Sequence, residues 1–361
     1  MNIKIYTDCP LKLYYEGVYH LKEIGKVKCI ELIGTRFFYY FMIELNNRFK
    51  LFRRIRSLFG WENKIIKNEP TSKILTSLSA PWRLLFAKNI ILSIVACGNS
   101  IYYLYLLKIL KKNLIFYSSW PYYGEKYIRT PRIWNFFLWK LFFKNIKAVG
   151  INKKATDSMS LLGAKTYHIP HSVDTSMFRP KKNDNKKPVV LFVGRLNEAK
   201  GIKAIFKLAE VYHREAKFVF VGAGPLEKDL TDNKDIEFLG EIKDMVKLSE
   251  VYKNSDIFIL NSYKTPEWEE VFGRVIIEAM ASGLSIISTD CIGPKEIIKD
   301  GVNGFLIEQK NDKQLFDRFN QLLNDKKLRK RLGINARKEA LEKYDINIIA
   351  EKWFEVVKMK L

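Results

Sequence analysis

Residues 189–225 read VVLFVGRLNEAKGIKAIFKLAEVYHREAKFVFVGAGP. Val189–Val193 is an uninterrupted apolar run between Pro188 and Gly194, the pattern of a strand buried on both faces. IKAIFKLAEVYHREA has helical spacing. Phe218–Val221 is a second buried run, closed by Gly222-Ala-Gly224-Pro225. Strand, glycine-led loop, helix and strand make the unit of a parallel sheet. Further along, Ile236–Leu239 predicts a strand followed by a helix through Lys247. Ile257–Leu260, Leu284–Ser288 and the turn from Gly301 into Phe305 continue the series. The class is α/β with a doubly wound sheet, and ligands of such sheets bind beyond the carboxyl ends of the strands.

The first half follows the same grammar with weaker punctuation. Met1–Thr7, Ile90–Ala96, Leu114–Tyr117 and Lys147–Ile151 predict strands, and Lys153–Leu162 a helix. Residues 31–88 give no assignable pattern. Pro170, Pro180 and Pro188 bracket a stretch rich in Asn, Asp and Lys, which sets the expected boundaries: a first domain over 1–172, a linker over 173–188, a second domain over 189–343 and a terminal segment over 344–361.

The chain has 361 residues and a formal charge of +23. Most of the excess of Lys and Arg, and more than half of the aromatic residues, precede residue 151. No carboxylate occurs between Glu69 and Glu125. This bias suggests an anionic partner, nucleic acid or an anionic membrane surface; an AT-rich genome would raise Lys, Tyr and Phe throughout, but not in one half alone. Cysteines 9, 29, 97 and 291 have no zinc or disulfide spacing, which fits a reduced, cytoplasmic chain. MNIKIYTDC reads as a strand rather than a signal peptide. Residues 89–110 are apolar enough to suggest a membrane span, but Gly98-Asn99-Ser100 breaks them into a strand and a helix. On a helical wheel of residues 132–147, Arg132, Lys140, Lys144 and Lys147 gather on one side with Phe136 and Phe143 intruding. Periodicity leaves an interfacial helix and a core helix equally open.

The chemistry gathers after the strands. Gly194, Arg195 and Lys200 occupy the loop before a helix, where free N–H groups and two cations suit a diphosphate. Gly222 and Gly224 permit close approach to the backbone. Residues 269–283, EEVFGRVIIEAMASG, place Glu270 before a helix start at Gly273 and Glu278 two turns later in an apolar run. A buried carboxylate needs a partner, and neighbouring hydroxyls of a sugar ring can supply two hydrogen bonds. A helix salt bridge is the plainer alternative for Glu278.

Taken in order, V-G-R-x4-K-G at 193–201, G-x-G-P at 222–225, F-L-G at 238–240, E-x7-E at 270–278, A-M-A-S-G at 279–283 and D-G-x-N-G-F-L at 300–306 resemble the C-terminal half of GT-B retaining glycosyltransferases of family 4 (group 1). The resemblance covers residues 148–361. It implies two Rossmann-like domains facing a cleft, with a C-terminal helix crossing back to the first. It implies that Arg195 and Lys200 hold the donor diphosphate, that Glu270 contacts the transferred sugar and that Glu278 holds the ribose. Phe272, Gly273 and Arg274 would touch sugar and phosphate, and Leu239 and Ile242 would border the base. A nucleotide diphosphate sugar would be co-substrate, with no metal and no other cofactor, and a glycan or lipid-linked molecule the acceptor. In the first half, the family's Gly-Gly loop is replaced by Pro10-Leu-Lys-Leu-Tyr-Tyr-Glu16-Gly17, and its loop histidine by Ser118-Ser119-Trp120-Pro121. Gly17, Ser119, Trp120 and His171 are the acceptor-side candidates. Residues 264–268 are expected as an added loop beside the sugar pocket. An epimerase of the same fold would need more histidine than this chain's four, and a nucleic-acid binder would leave the diphosphate loop unexplained. The expected location is the cytoplasm, peripheral on the inner membrane face.

Overall fold

A computed structural model of the chain describes residues 1–7, 15–34, 84–93, 100–121, 133–181, 185–231, 233–266 and 268–359. They divide into two compact units, Met1–His168 with Trp353–Leu361, and Ile169–Lys352. The expected loop from Pro10 to Tyr14 and the break at Gly98-Asn99 lie outside the described residues.

Unit 1 is a six-stranded parallel sheet, β1 (Asn2–Thr7), β2 (Cys29–Gly34), β3 (Asn89–Ser93), β4 (Asn113–Ser118), β5 (Lys147–Gly150) and β6 (Lys165–His168), in spatial order 2-1-3-4-5-6. Its helices include α1 (Glu16–Glu23), α2 (Ser100–Ile109), α3 (Ile133–Phe143) and α4 (Lys153–Ser160). The stretch from 89 to 110 is therefore a strand and a helix, and among the described residues no helix is long and apolar enough to cross a membrane. Of the two readings left open for α3, the core one describes one side of the helix, while Phe137 and Lys140 are exposed. Trp139, Phe142 and Phe143 are fully buried with Phe116 and Leu104, and Phe116 meets Phe143 edge-on at 4.9 Å. Lys108 Nζ, on α2, donates to the carbonyls of Leu141 (2.7 Å) and Phe142 (2.9 Å) and so caps the C-terminus of α3.

Unit 2 is a second six-stranded parallel sheet: β7 (Val189–Val193), β8 (Lys217–Val221), β9 (Ile236–Phe238), β10 (Ile257–Leu260), β11 (Ser285–Thr289) and β12 (Phe305–Ile307), in spatial order 12-11-10-7-8-9. The chain runs outward from β7 to β9, returns to β10 beside β7, and runs outward the other way. The order therefore reverses between β7 and β10, where a doubly wound sheet opens a crevice. Helices α5 (Ile202–Tyr212), α6 (Glu227–Thr231), α7 (Met245–Lys253), α8 (Arg274–Ala281) and α9 (Ile292–Ile297) join the strands, and α10 (Asp312–Asn324) and α11 (Lys326–Lys343) follow. The helix expected directly after β9 starts later. Asp244 accepts from the Val246 (2.9 Å) and Lys247 (3.3 Å) amides and begins α7 at Met245.

The stretch 173–188, expected as a linker, is fastened to unit 2. The Val173 amide donates to Tyr344 O at 2.9 Å, and Lys181 Nζ pairs with Asp256 Oδ1 at 2.6 Å. The last helix, α12 (Ile346–Lys358), ends in unit 1. There Trp353 packs on Tyr117, with ring centroids 5.3 Å apart. Asn113 Nδ2 donates to Val357 O (2.7 Å), and Lys147 Nζ to Val356 O (2.9 Å) and Met359 O (2.7 Å). These bonds satisfy carbonyls that a helix end leaves open. Burial pulls the Lys147 ammonium down to about 8.

Candidate active site

Two loops meet at the crevice of unit 2. One follows β7 and carries Gly194, Arg195 and the short 3-10 turn Glu198–Lys200. The other follows β10 and runs from Asn261 to Gly273. They are stitched together by the Tyr263 amide on Ala199 O (2.9 Å) and by Asn261 Nδ2 on Gly201 O (3.3 Å). The stitching brings together two charges seventy positions apart: Lys200 Nζ lies 2.5 Å from Glu270 Oε2, both side chains being mostly but not wholly covered. Trp268 lies against the same ammonium, which sits 4.6 Å from its ring centroid. That contact adds cation–π attraction to the ion pair. Arg195 is exposed, and its guanidinium has no hydrogen-bond or ion-pair partner among the described residues.

The loop of residues 264–268 is held by its own bonds, Thr265 N to Trp268 O (2.8 Å) and Trp268 N to Thr265 Oγ1 (3.0 Å). These place Trp268 over Lys200. The adjacent glutamates do different work. Glu269 Oε1 accepts from the Ile292 amide at the start of α9 (3.1 Å), whereas the Glu270 side chain turns to Lys200.

Gly273 opens α8 with φ +86, and a Cβ there would lie 2.8 Å from Ile276 Cδ1. Glycine thus allows the helix to start at this point. Glu278, on α8, has a 5% exposed side chain. Arg274 Nε donates to its Oε1 at 3.0 Å, one helical turn back, and Tyr252 OH donates to its Oε2 at 2.9 Å. The plainer expectation for Glu278, a helix salt bridge, is therefore the contact present. A carboxylate retains further lone-pair positions, but access to them here is narrow. Burial raises the Glu278 pKa, and the Arg274 charge with the Tyr252 and Arg274 hydrogen bonds opposes that rise. The Tyr252 hydroxyl is pushed well up, first by burial and then by the Glu278 charge.

Gly222 and Gly224 have a reason that sequence reading did not anticipate. A Cβ on Gly222 would lie within 1.8 Å of Gly194 O, and one on Gly224 within 2.4 Å of Leu196 O. These glycines let the loops after β7 and β8 lie against each other, backbone on backbone. Leu239 is exposed and Ile242 half-buried on the loop after β9. Phe272 is buried, with His171 edge-on at 4.9 Å. His171, expected on the acceptor side, is thus a buried part of unit 2. In unit 1, Gly17 is buried as the second residue of α1, and Ser119 and Trp120 are exposed just after β4. His20 pairs with Glu23 at 2.8 Å on the surface. Sequence reading missed Tyr252 and Trp268. Only the departure at 264–268 pointed toward the second, and nothing local marked the first.

Residues 173–339 match the family described as Glycosyl transferases group 1. Among curated proteins, the chain is 33% identical over 216 residues to N,N'-diacetylbacillosaminyl-diphospho-undecaprenol alpha-1,3-N-acetylgalactosaminyltransferase of Campylobacter jejuni subsp. jejuni, covering 58% of this chain and 53% of that one. It is 30% identical over 179 residues to the capsular polysaccharide biosynthesis glycosyltransferase CapM of Staphylococcus aureus, covering 47% and 45%. The chain spans about half the length of the curated relatives it matches. Among solved structures, Anabaena HepE in complex with UDP superposes with a TM-score of 0.67 at 16% identity, over 98% of this chain and 99% of that one. Sucrose-phosphate synthase from Thermosynechococcus elongatus gives 0.68 at 15% identity, over 98% of both. These likenesses establish the GT-B fold.

Proposed function

We propose, on the premise that the chain belongs through residues 173–339 to the Glycosyl transferases group 1 family, that it moves a sugar from a nucleotide diphosphate sugar to a glycan or lipid-linked acceptor in the assembly of cell-surface polysaccharide or glycolipid. The observation that carries this reading is the meeting of Lys200 and Glu270 at the crevice between β7 and β10, with Arg195 exposed on the same loop. The relatives named for undecaprenol-linked and capsular substrates support the acceptor class.

In this reading the donor diphosphate takes Lys200 and Arg195 as counter-charges, and Lys200 is drawn from Glu270 as it arrives. The freed Glu270 carboxylate then accepts from hydroxyls of the transferred sugar. Glu278 completes the donor site at the ribose through the acceptor positions that Arg274 and Tyr252 leave unused. The bond from the anomeric carbon to the leaving phosphate oxygen breaks as the acceptor oxygen bonds to the same carbon. The acceptor's proton passes to the departing diphosphate on the same face, so the anomeric configuration is retained. No side chain need act as acid or base, and stabilisation of the leaving diphosphate is the main catalytic term. Gly17, Ser119 and Trp120 are the acceptor-side candidates of unit 1. The work is proposed to take place in the cytoplasm against the inner membrane face.

The test is a transfer assay with UDP-, GDP-, ADP- and CMP-sugars and polyprenyl-diphosphate oligosaccharides as acceptors. It reads free nucleotide, glycosylated product and the anomeric coupling constant of that product by NMR. Transfer from one nucleotide family with retained configuration is expected. Transfer with inversion would overturn the same-face mechanism, and turnover undiminished in Lys200→Ala would overturn the site.

A further inference from the structure

Unit 1 carries a second concave surface, at the opposite end of its sheet from the loops just described. A cavity of about 1080 Å³ opens at the amino ends of the parallel strands, where Asn2, Asn89 and Asn113 begin β1, β3 and β4. Among the described residues its lining includes Lys4, Lys88, Lys108, Lys111, Lys112 and Lys358, and no carboxylate. Lys4 is neutralised by Glu31 at 2.9 Å, and Lys108 is spent on the carbonyls at the end of α3. Lys88, Lys111 and Lys112 have no ion-pair or side-chain hydrogen-bond partner among the described residues. They lie in the stretch between Glu69 and Glu125 that contains no acidic residue, so no sequence neighbour can neutralise them.

The same rim is apolar. Phe86 lines the cavity and is 85% exposed, and Ile109 (63%) and Leu110 (47%) immediately precede Lys111. An exposed phenylalanine two residues from an exposed lysine, beside a second Ile-Leu-Lys-Lys run, is poorly suited to water alone. Rings and branched chains that enter an acyl boundary while lysines remain at the headgroups form an interfacial pattern. A soluble polyanion would use the lysines and leave the apolar rim without a role.

We infer that this face, Phe86, Lys88 and Ile109–Lys112, is a docking surface for a membrane bearing anionic lipid. Docking here needs the proposed membrane contact but no sugar transfer, so vesicle binding and turnover fail separately.

The test is co-sedimentation of the full chain with vesicles of equal parts phosphatidylglycerol and phosphatidylcholine, against phosphatidylcholine alone. The wild type is expected to bind the first and not the second. Lys88→Glu, Lys111→Glu and Lys112→Glu together should weaken binding on the order of a hundredfold, from about fivefold per lysine near an anionic surface. Phe86→Ser should weaken it about tenfold through lost apolar burial, including at ionic strength that screens the lysines. Both sets are on the surface, and an unchanged melting temperature confirms folding. The matched reversal Lys326→Glu, Lys327→Glu and Lys330→Glu in unit 2 makes the same change in net charge and should weaken binding no more than about twofold if the lysines must lie at the surface itself. Equal loss from the two triple variants, no binding by the wild type, or displacement by excess inorganic pyrophosphate would each overturn the assignment, the last by marking a pocket for soluble anions.

Discussion

Two of the cation–carboxylate pairs of unit 2 each have an aromatic partner and lie in very different settings. Lys200 and Glu270 join two loops at the crevice, with Trp268 over the ammonium; their side chains are 14% and 13% exposed. Arg274 and Glu278 are neighbours on one helix, with Tyr252 closing the far oxygen; Glu278 is 5% exposed. The loop pair sits at the crevice edge, so on the proposed function an arriving anion opens it without disturbing a core. The helix pair cannot be opened in this way, because separating it strands a buried charge on α8. Eight residues of sequence spacing therefore separate a carboxylate that ties one loop to another from one that holds α7 to α8.

The contrast is open to direct attack. Glu278→Ala should cost the most in stability, about 3 kcal/mol, because it leaves Arg274 and the Tyr252 hydroxyl without their buried acceptor; urea unfolding measures it. Lys200→Ala should leave the unfolding midpoint nearly unchanged while lowering kcat/KM by about a hundredfold or more, as expected for loss of charge at a leaving group. If both variants lose stability alike, the distinction between the pairs fails. The aromatic partners sharpen it. Tyr252→Phe should destabilise by about 1–2 kcal/mol through a buried oxygen left short of a donor. Trp268→Leu should spare stability and raise KM for the donor, the lost cation–π contact amounting to about 0.5–1 kcal/mol.

The smallest expected effect is on pH dependence. Burial raises the folded pKa of Glu278 above its unfolded value, so between the two values the native state holds the extra proton. That contribution to stability is full below the unfolded pKa and lost as pH rises through the folded one. The stability of wild type relative to Glu278→Gln should therefore fall with rising pH across this window, as followed by chemical denaturation. A rise would show that Arg274 outweighs burial.

Much of unit 2 was legible because its strands are buried on both faces. β7 and β10 begin and end as the apolar runs VVLFV and IFIL do. β6, KTYH, is a half-exposed edge strand, so no apolar run announced it. Periodicity could not place α3 because its residues are apolar nearly all round, so no apolar stripe marks the side that packs. In the site, Lys200 and Glu270 were readable as residue types at strand exits. Their pairing was not, since it arises from two loops brought together by a reversal of strand order. Tyr252 acts on Glu278 from another helix, and no local spacing records such a contact. The role of Gly222 is equally non-local, for it is the Gly194 carbonyl on a neighbouring loop that excludes a side chain.

The most direct test of the central claim is a thermal-shift comparison of wild type and Lys200→Ala against UDP-, GDP-, ADP- and CMP-sugars. A ligand that binds only the folded state raises the melting temperature by mass action. The account predicts a rise for wild type with one nucleotide family and its loss in Lys200→Ala. An equal rise in both proteins would contradict it.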